Sequence, residues 1–323
     1  MAVAQALRAL LAEGRFQDAL ERYRELGSAP DSRWPDVQLL AATAATRLGD
    51  LDRATTLAVE ALVQFRTRGD SDGRMRALNL LGAIHWERGR IADAERCFGE
   101  ALGLARQLND SLLLARTSNN LASVAHLQGR SDQAAGLFRE ALLAYHRLGD
   151  RRGTAETYHN LGFAYRQAGE WREAEGATAN AVRHAELVGE PALLALVLGA
   201  KAELSVERND TDLAERELER AVHYAAQAGD VVGRAEVHRV QALNSLHRGA
   251  WEVALFHAET ARAVAVEHDS ALLAAECAGI AARALKAMGK TDEAQDRRER
   301  AEAGFRQLGA TSLLERLQHD LRD

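Results

Sequence analysis

Apolar and small side chains recur at three- and four-residue spacing along almost the whole chain, in segments of about eighteen residues set apart by single glycines or asparagines. The stretch from Asn119 to Asp150, NNLASVAHLQGRSDQAAGLFREALLAYHRLGD, shows the arrangement. Moved forty residues either way, it falls on related text: LNLLGAIHWERGRIADAERCFGEALGLARQLND from Leu78 and YHNLGFAYRQAGEWREAEGATANAVRHAELVGE from Tyr158. A helical segment of this length is roughly 27 Å long. The pattern therefore predicts a repeated unit of helix A, tight turn and helix B.

Two series of residues set the frame. One runs Gly14, Gly49, Gly89, Gly129, Gly169, Asn209, Gly249 and Gly289; the other runs Gly69, Asn109, Gly149, Gly189, Gly229 and Gly309, with Asp269 at its irregular place. A helix often stops on one left-handed residue, which glycine adopts freely and asparagine next most easily. Each position is thus an expected helix stop. Asp70, Asp110, Asp150, Glu190, Asp230 and Ser270 follow the second series at once and are expected to cap or favourably charge the next helix.

Small residues keep fixed places on both helices. In A they are Ala42, Gly82, Ala122, Gly162, Ala202, Ala242 and Ala282; in B, five residues past each turn, they are Ala19, Ala54, Ala94, Ala134, Ala174, Ala214, Ala254 and Ala294. Such positions let helix axes approach to the short end of the usual 8 to 10 Å range. Leu81, Ile84, Phe98 and Leu102, and their counterparts Leu121, Val124, Phe138 and Leu142, are expected to fill the grooves beside them. One hairpin cannot bury both faces of its helices, so the core forms only when neighbours stack. Trp171 and Trp251, two residues after a turn, are expected in that core.

The chain is expected to form one all-α solenoid over residues 1–323. A short first hairpin covers 2–29, and a Pro-containing loop with a candidate hinge covers 30–35. Seven repeats cover 36–309, with turns at Gly49, Gly89, Gly129, Gly169, Asn209, Gly249 and Gly289. A final helix over 310–323, opened by a capping box of Ser312 with Glu315, covers the last repeat.

These positions resemble the tetratricopeptide repeat: a small residue in A, glycine at the turn, and Ala-x-x-x-Phe-x-x-Ala in B, as in Ala94, Phe98, Ala101 and Ala134, Phe138, Ala141. YHNLGFAYRQAGEWREA, from Tyr158 to Ala174, looks like the repeat signature in nearly full form. The forty-residue variant is similar to the arrays of kinesin light chain, Pins, bacterial Rap regulators and large bacterial transcriptional activators. The resemblance implies a right-handed superhelix of about eight units, with A helices lining the concave surface. Later repeats depart from the pattern, with Thr178, Leu218, Ala258 and Arg298 where Phe98 and Phe138 stand.

Composition narrows the class of function. The 41 basic and 47 acidic residues give a net charge of −6 and are mixed along the chain, so no basic run builds the footprint of a nucleic-acid binder. Cys97 and Cys277 stand alone in different repeats, and the 11 histidines are scattered without ligand spacing, which argues against a disulfide framework or a metal site. No phosphate-binding glycine loop or nucleophile elbow occurs, and no enzymatic activity or cofactor is expected. The opening MAVAQALRALLAEGRF lacks the layout of a signal peptide, and no run approaches the roughly 18 apolar residues of a membrane span. The chain is accordingly read as soluble and cytoplasmic.

If A helices line the groove, the side chains facing away from the core are the candidate contacts for a partner peptide. They are Arg76, Asn79 and Trp86 in the third unit; Arg116, Asn119, Asn120 and Ser123 in the fourth; and His159, Asn160, Phe163 and Arg166 in the fifth. An asparagine amide offers donors and an acceptor to a peptide main chain, and arginine selects carboxylates. The corresponding face of the later units holds Glu203, Glu207, Glu236 and Glu276 with Arg239 and Arg283, so a partner with an acidic segment toward the N-terminal half is expected. The sequence thus points to a non-catalytic scaffold for a protein or peptide partner. A sensor array for a small peptide or metabolite within a bacterial regulator is the alternative. Self-association ranks below both, with a monomer favoured.

Overall fold

The computed structural model describes residues 2–27 and 34–321, which contain seventeen α-helices and no strand. The first hairpin pairs α1 (Ala2–Ala12) with the short α2 (Phe16–Glu25). Seven longer pairs follow: α3 (Pro35–Arg47) with α4 (Leu51–Thr67), α5 (Ser71–Glu87) with α6 (Ile91–Leu108), α7 (Ser111–Leu127) with α8 (Ser131–Leu148), α9 (Arg151–Gln167) with α10 (Trp171–Val188), α11 (Pro191–Glu207) with α12 (Thr211–Ala228), α13 (Val231–His247) with α14 (Trp251–Glu267), and α15 (Ala271–Ala287) with α16 (Thr291–Leu308). Helix α17 (Thr311–Asp320) comes last. Odd-numbered helices are the A helices. The hinge expected around Pro30 lies outside the described residues, while Pro35 opens α3, where its missing N–H costs nothing.

Every expected stop, including Asn109, Asn209 and Asp269, has positive φ. The stop at Gly149 shows the mechanism. The Gly149 N–H donates to the His146 carbonyl at 3.2 Å and the Asp150 N–H to the Tyr145 carbonyl at 3.0 Å, a Schellman closure that satisfies the last carbonyls of α8. The Asp150 carboxylate then accepts the Gly153 N–H at 2.9 Å and starts α9. Asp70, Asp110 and Asp230 cap in the same way. Glu190 and Ser270 make no side-chain cap, and neither does Ser312. The expected capping box fails because α17 begins at Thr311, immediately after Ala310, which places Ser312 inside the helix.

Contacts gather the helices into two compact units, residues 1–120 and 121–323. Within each, successive A helices touch: α1 with α3 and α3 with α5 in one, α9 with α11, α11 with α13 and α13 with α15 in the other. B helices pack on the A helices beside them, α4 on α3 and α5 in one unit, and α10, α12 and α14 each on the A helices before and after in the other. The A helices therefore make an inner row in each unit, and the small residues at their contact positions, Ala42 and Ala202 among them, are fully buried. Phe98 shows how tight the contact is, since a β-carbon on Gly82 would stand 2.6 Å from its ring. In the fifth repeat Thr178 takes the place of that ring and faces Gly162. Phe65, Leu78 and Ile84 belong to the core of one unit, and Val197, Leu198 and Leu218 to that of the other.

Trp171 is a correction to the expected core. It keeps 38% of its surface exposed, whereas Trp251 packs partly against Ala242, Leu246 and Ala254. The position is the first residue of a B helix, at the rim, where Leu51 and Ile91 are small enough to be covered and an indole is not.

Three substitutions test this packing by thermal melting. Ala134, buried under Phe138, should lose on the order of 1–3 kcal/mol as Ala134→Leu through overpacking. Gly153→Ala should also destabilise, because its β-carbon would lie 2.3 Å from the buried Tyr145 ring. Gly99→Ala should do the opposite: Gly99 is an exposed residue within α6 with nothing near its β-position, so alanine should add about 0.5–1 kcal/mol.

Candidate functional site

The inner row of the first unit carries Arg76, Asn79, Trp86, Arg116, Asn119 and Asn120. Its arginines differ in kind. Arg76 donates to Asp36 on the neighbouring A helix at 3.1 Å and to Asp72 one turn back at 2.9 Å, with its guanidinium 5.7 Å from the Phe65 ring. Arg116 is exposed and, among the described residues, has no acidic partner. Asn120 reaches back to the Asn79 amide at 3.4 Å, joining two successive A helices while both residues stay half-buried. Asn119 is buried, and Trp86 is half-buried at the end of α5.

In the second unit the inner row is a ladder of charges and rings. His126 meets the Phe163 ring edge-on at 5.3 Å, and the Arg166 guanidinium lies 4.9 Å over the same ring. Arg166 pairs with Glu203 at 2.7 Å and approaches Glu207 at 3.4 Å. Glu203 also accepts two parallel bonds of 2.9 Å from Arg239, which in turn holds Glu236 at 3.0 Å and lies 3.6 Å from Glu276. Arg166, Glu203 and Arg239 are all less than a tenth exposed. The sequence places these residues on one face; the structure shows that most of them satisfy one another. Ser123 and Asn160 are half-buried on the same row.

Burial sets the charge states. It opposes ionisation of Glu203, but Arg166 and Arg239 outweigh it and hold that carboxyl well below the usual range. It lowers His126 and His159 to about 4, which keeps both neutral at pH 7. Among the described residues the His159 Nδ1, Arg166 Nη1 and Glu207 Oε2 atoms are buried without a hydrogen-bond partner. Burial pushes Glu276 up to about 7, against the pull of Arg239. Among the described residues no group of three His, Cys, Asp or Glu side chains could hold a metal ion, and no helix is long and apolar enough to cross a membrane.

One participant escaped the sequence reading. Arg316 of α17 bonds the Glu207 carboxylate 109 residues away. The signal was present, since Arg316 lies forty residues beyond Glu276 and so in the same repeat register as Arg76 and Arg116.

Because Glu276 binds its proton more tightly in the folded chain, stability falls as pH rises from its unfolded value near 4.5 through about 7. Glu276→Gln removes that fall. Melts of the variant should exceed the parent at pH 8 and lose the advantage by pH 5; an equal difference at both pH values contradicts the assignment.

A model described as tetratricopeptide repeat matches residues 36–107 and 113–186. No curated protein matches the chain. Among solved structures, the chain is similar to a Rap protein complexed with competence and sporulation factor, with TM-score 0.73 and 13% identity over 85% of this chain and 75% of that one. It is also similar to the Rap conjugation gene regulator of plasmid pLS20 in complex with the Phr* peptide, with TM-score 0.68 and 16% identity over 90% and 76%. A third is BtubC (BKLC) from P. vanneervenii, with TM-score 0.52 and 23% identity over 69% and 92%. At these identities the likeness is one of fold. Residues 36–107 and 113–186 are therefore tetratricopeptide repeats, and the same helix stops and paired helices continue through the described residues beyond them.

Proposed function

We propose that the inner A-helix rows hold a peptide segment of a partner protein. The observation that carries this is the concentration on these rows of polar groups with spare bonding capacity. Among the described residues Arg116 has no acidic partner and His159 Nδ1 and Glu207 Oε2 lack hydrogen bonds, and the half-buried Asn79 and Asn120 meet only at 3.4 Å. A peptide main chain supplies both a donor and an acceptor at each residue and suits such groups in any sequence context. The Rap structures with bound competence and sporulation factor or Phr* peptide share the fold and support the same use of it. Arg116 favours a carboxylate on the partner in the first unit.

The test is a pull-down with the parent chain, followed by affinity measurements on Asn120→Ala and Asn160→Ala, singly and together. Helicity should stay at the parental level. Each loss should weaken binding by about 1 kcal/mol, roughly fivefold. Unchanged affinity in the double variant removes the inner rows from the account.

A further inference from the structure

We propose that Glu207 is a docking point for a basic side chain of the partner segment, and that Arg316 of α17 is its resident, replaceable occupant. The proposal rests on the inner-row reading above and names the chemistry of one contact within it.

Glu207 ends α11, and its side chain is 9% exposed. Its Oε1 atom receives Arg316 and lies 3.4 Å from Arg166; its Oε2 atom is buried with no hydrogen-bond partner. The nearby cations are committed elsewhere. Arg166 is held by Glu203 at 2.7 Å and lies over Phe163, and Arg239 is shared among Glu203, Glu236 and Glu276. Among the described residues two buried atoms here lack a hydrogen-bond partner: Arg166 Nη1, whose charge is met by Glu203, and the Glu207 Oε2 atom, to which a ligand can bring a donor. A buried carboxylate is costly without a cation, so Arg316 leaves most readily when another cation replaces it. A guanidinium that forks onto both oxygens does more than Arg316, which engages one.

Helix α17 is lightly held. Of its ten residues only Leu317 is buried, against Gly279 of α15. Polar contacts that hold it include Arg316 on Glu207, Arg283 with Asp320 at 3.2 Å, and Lys286 Nζ donating to the Leu321 carbonyl at 3.2 Å. Its first hydroxyls, on Thr311 and Ser312, lie within 3.5 Å of the place a β-carbon on Gly129 would occupy. The helix thus spans from α15 past the end of α11 to the turn between α7 and α8. It presents an arginine to the carboxylate at the end of α11 whose second oxygen lacks a donor.

The test measures fluorescence polarisation of labelled seven-residue peptide pools, randomised except for a central arginine, glutamate or alanine, on the full chain. The arginine pool should bind the parent more tightly than the other two. Arg316→Ala, a change at a half-exposed side chain, should tighten that binding by removing the competitor. Glu207→Gln should weaken it about tenfold and erase the preference for arginine. A preference that persists in Glu207→Gln, no preference at all, or no gain in Arg316→Ala overturns the proposal. If the pools bind equally and Asn120→Ala with Asn160→Ala abolishes binding, the inner-row reading stands and the Glu207 contact falls. If no pool binds any of these chains, both fall.

Discussion

A left-handed residue every twenty positions is the constraint from which the rest of this structure follows. It fixes the length of each helix from α4 to α16, and near-equal lengths hold the repeat register constant from one hairpin to the next. Constant register then brings alanine against alanine at the helix contacts, and it also brings charge against charge along the inner rows. The stop does not depend on glycine alone. Asn109, Asn209 and Asp269 adopt the same conformation, which their short polar side chains tolerate better than other residues do.

The fold was legible because its determinants are local. Gly149 and Asp150 close one helix and open the next through bonds that span at most five residues, and a forty-residue recurrence makes each such signal stand out. Trp171 and Ser312 were misread for reasons that are not local. Whether an indole is covered depends on how much of the neighbouring turn overhangs the rim. Whether a serine caps depends on which residue the preceding stop leaves as the first of the helix.

The candidate face was legible as a face, but its chemistry was not. Arg76, Asn79, Asn120 and Arg166 occupy A-helix positions as the periodicity requires, yet nothing in one repeat says what a long side chain will reach in the next. Arg76 turned out to share two aspartates, and Arg166 is buried beneath a carboxylate from α11. Arg116, in the same register as Arg76, has no such neighbour among the described residues. Pairing depends on the residue found forty positions away, so it emerges only when successive rows are laid side by side.

Repeat proteins are often treated as beads that can be removed or exchanged one at a time. The buried cluster around Glu203 works against this in the second unit. Its two arginines belong to different hairpins, Arg166 to the one before and Arg239 to the one after. Excising the α11 and α12 hairpin would preserve every helix stop and every alanine contact in kind, yet leave two buried guanidiniums without their shared carboxylate. Hairpins in this stretch are therefore bound to a fixed order by charge, and rearrangement of the array is tolerated only where such ties are absent.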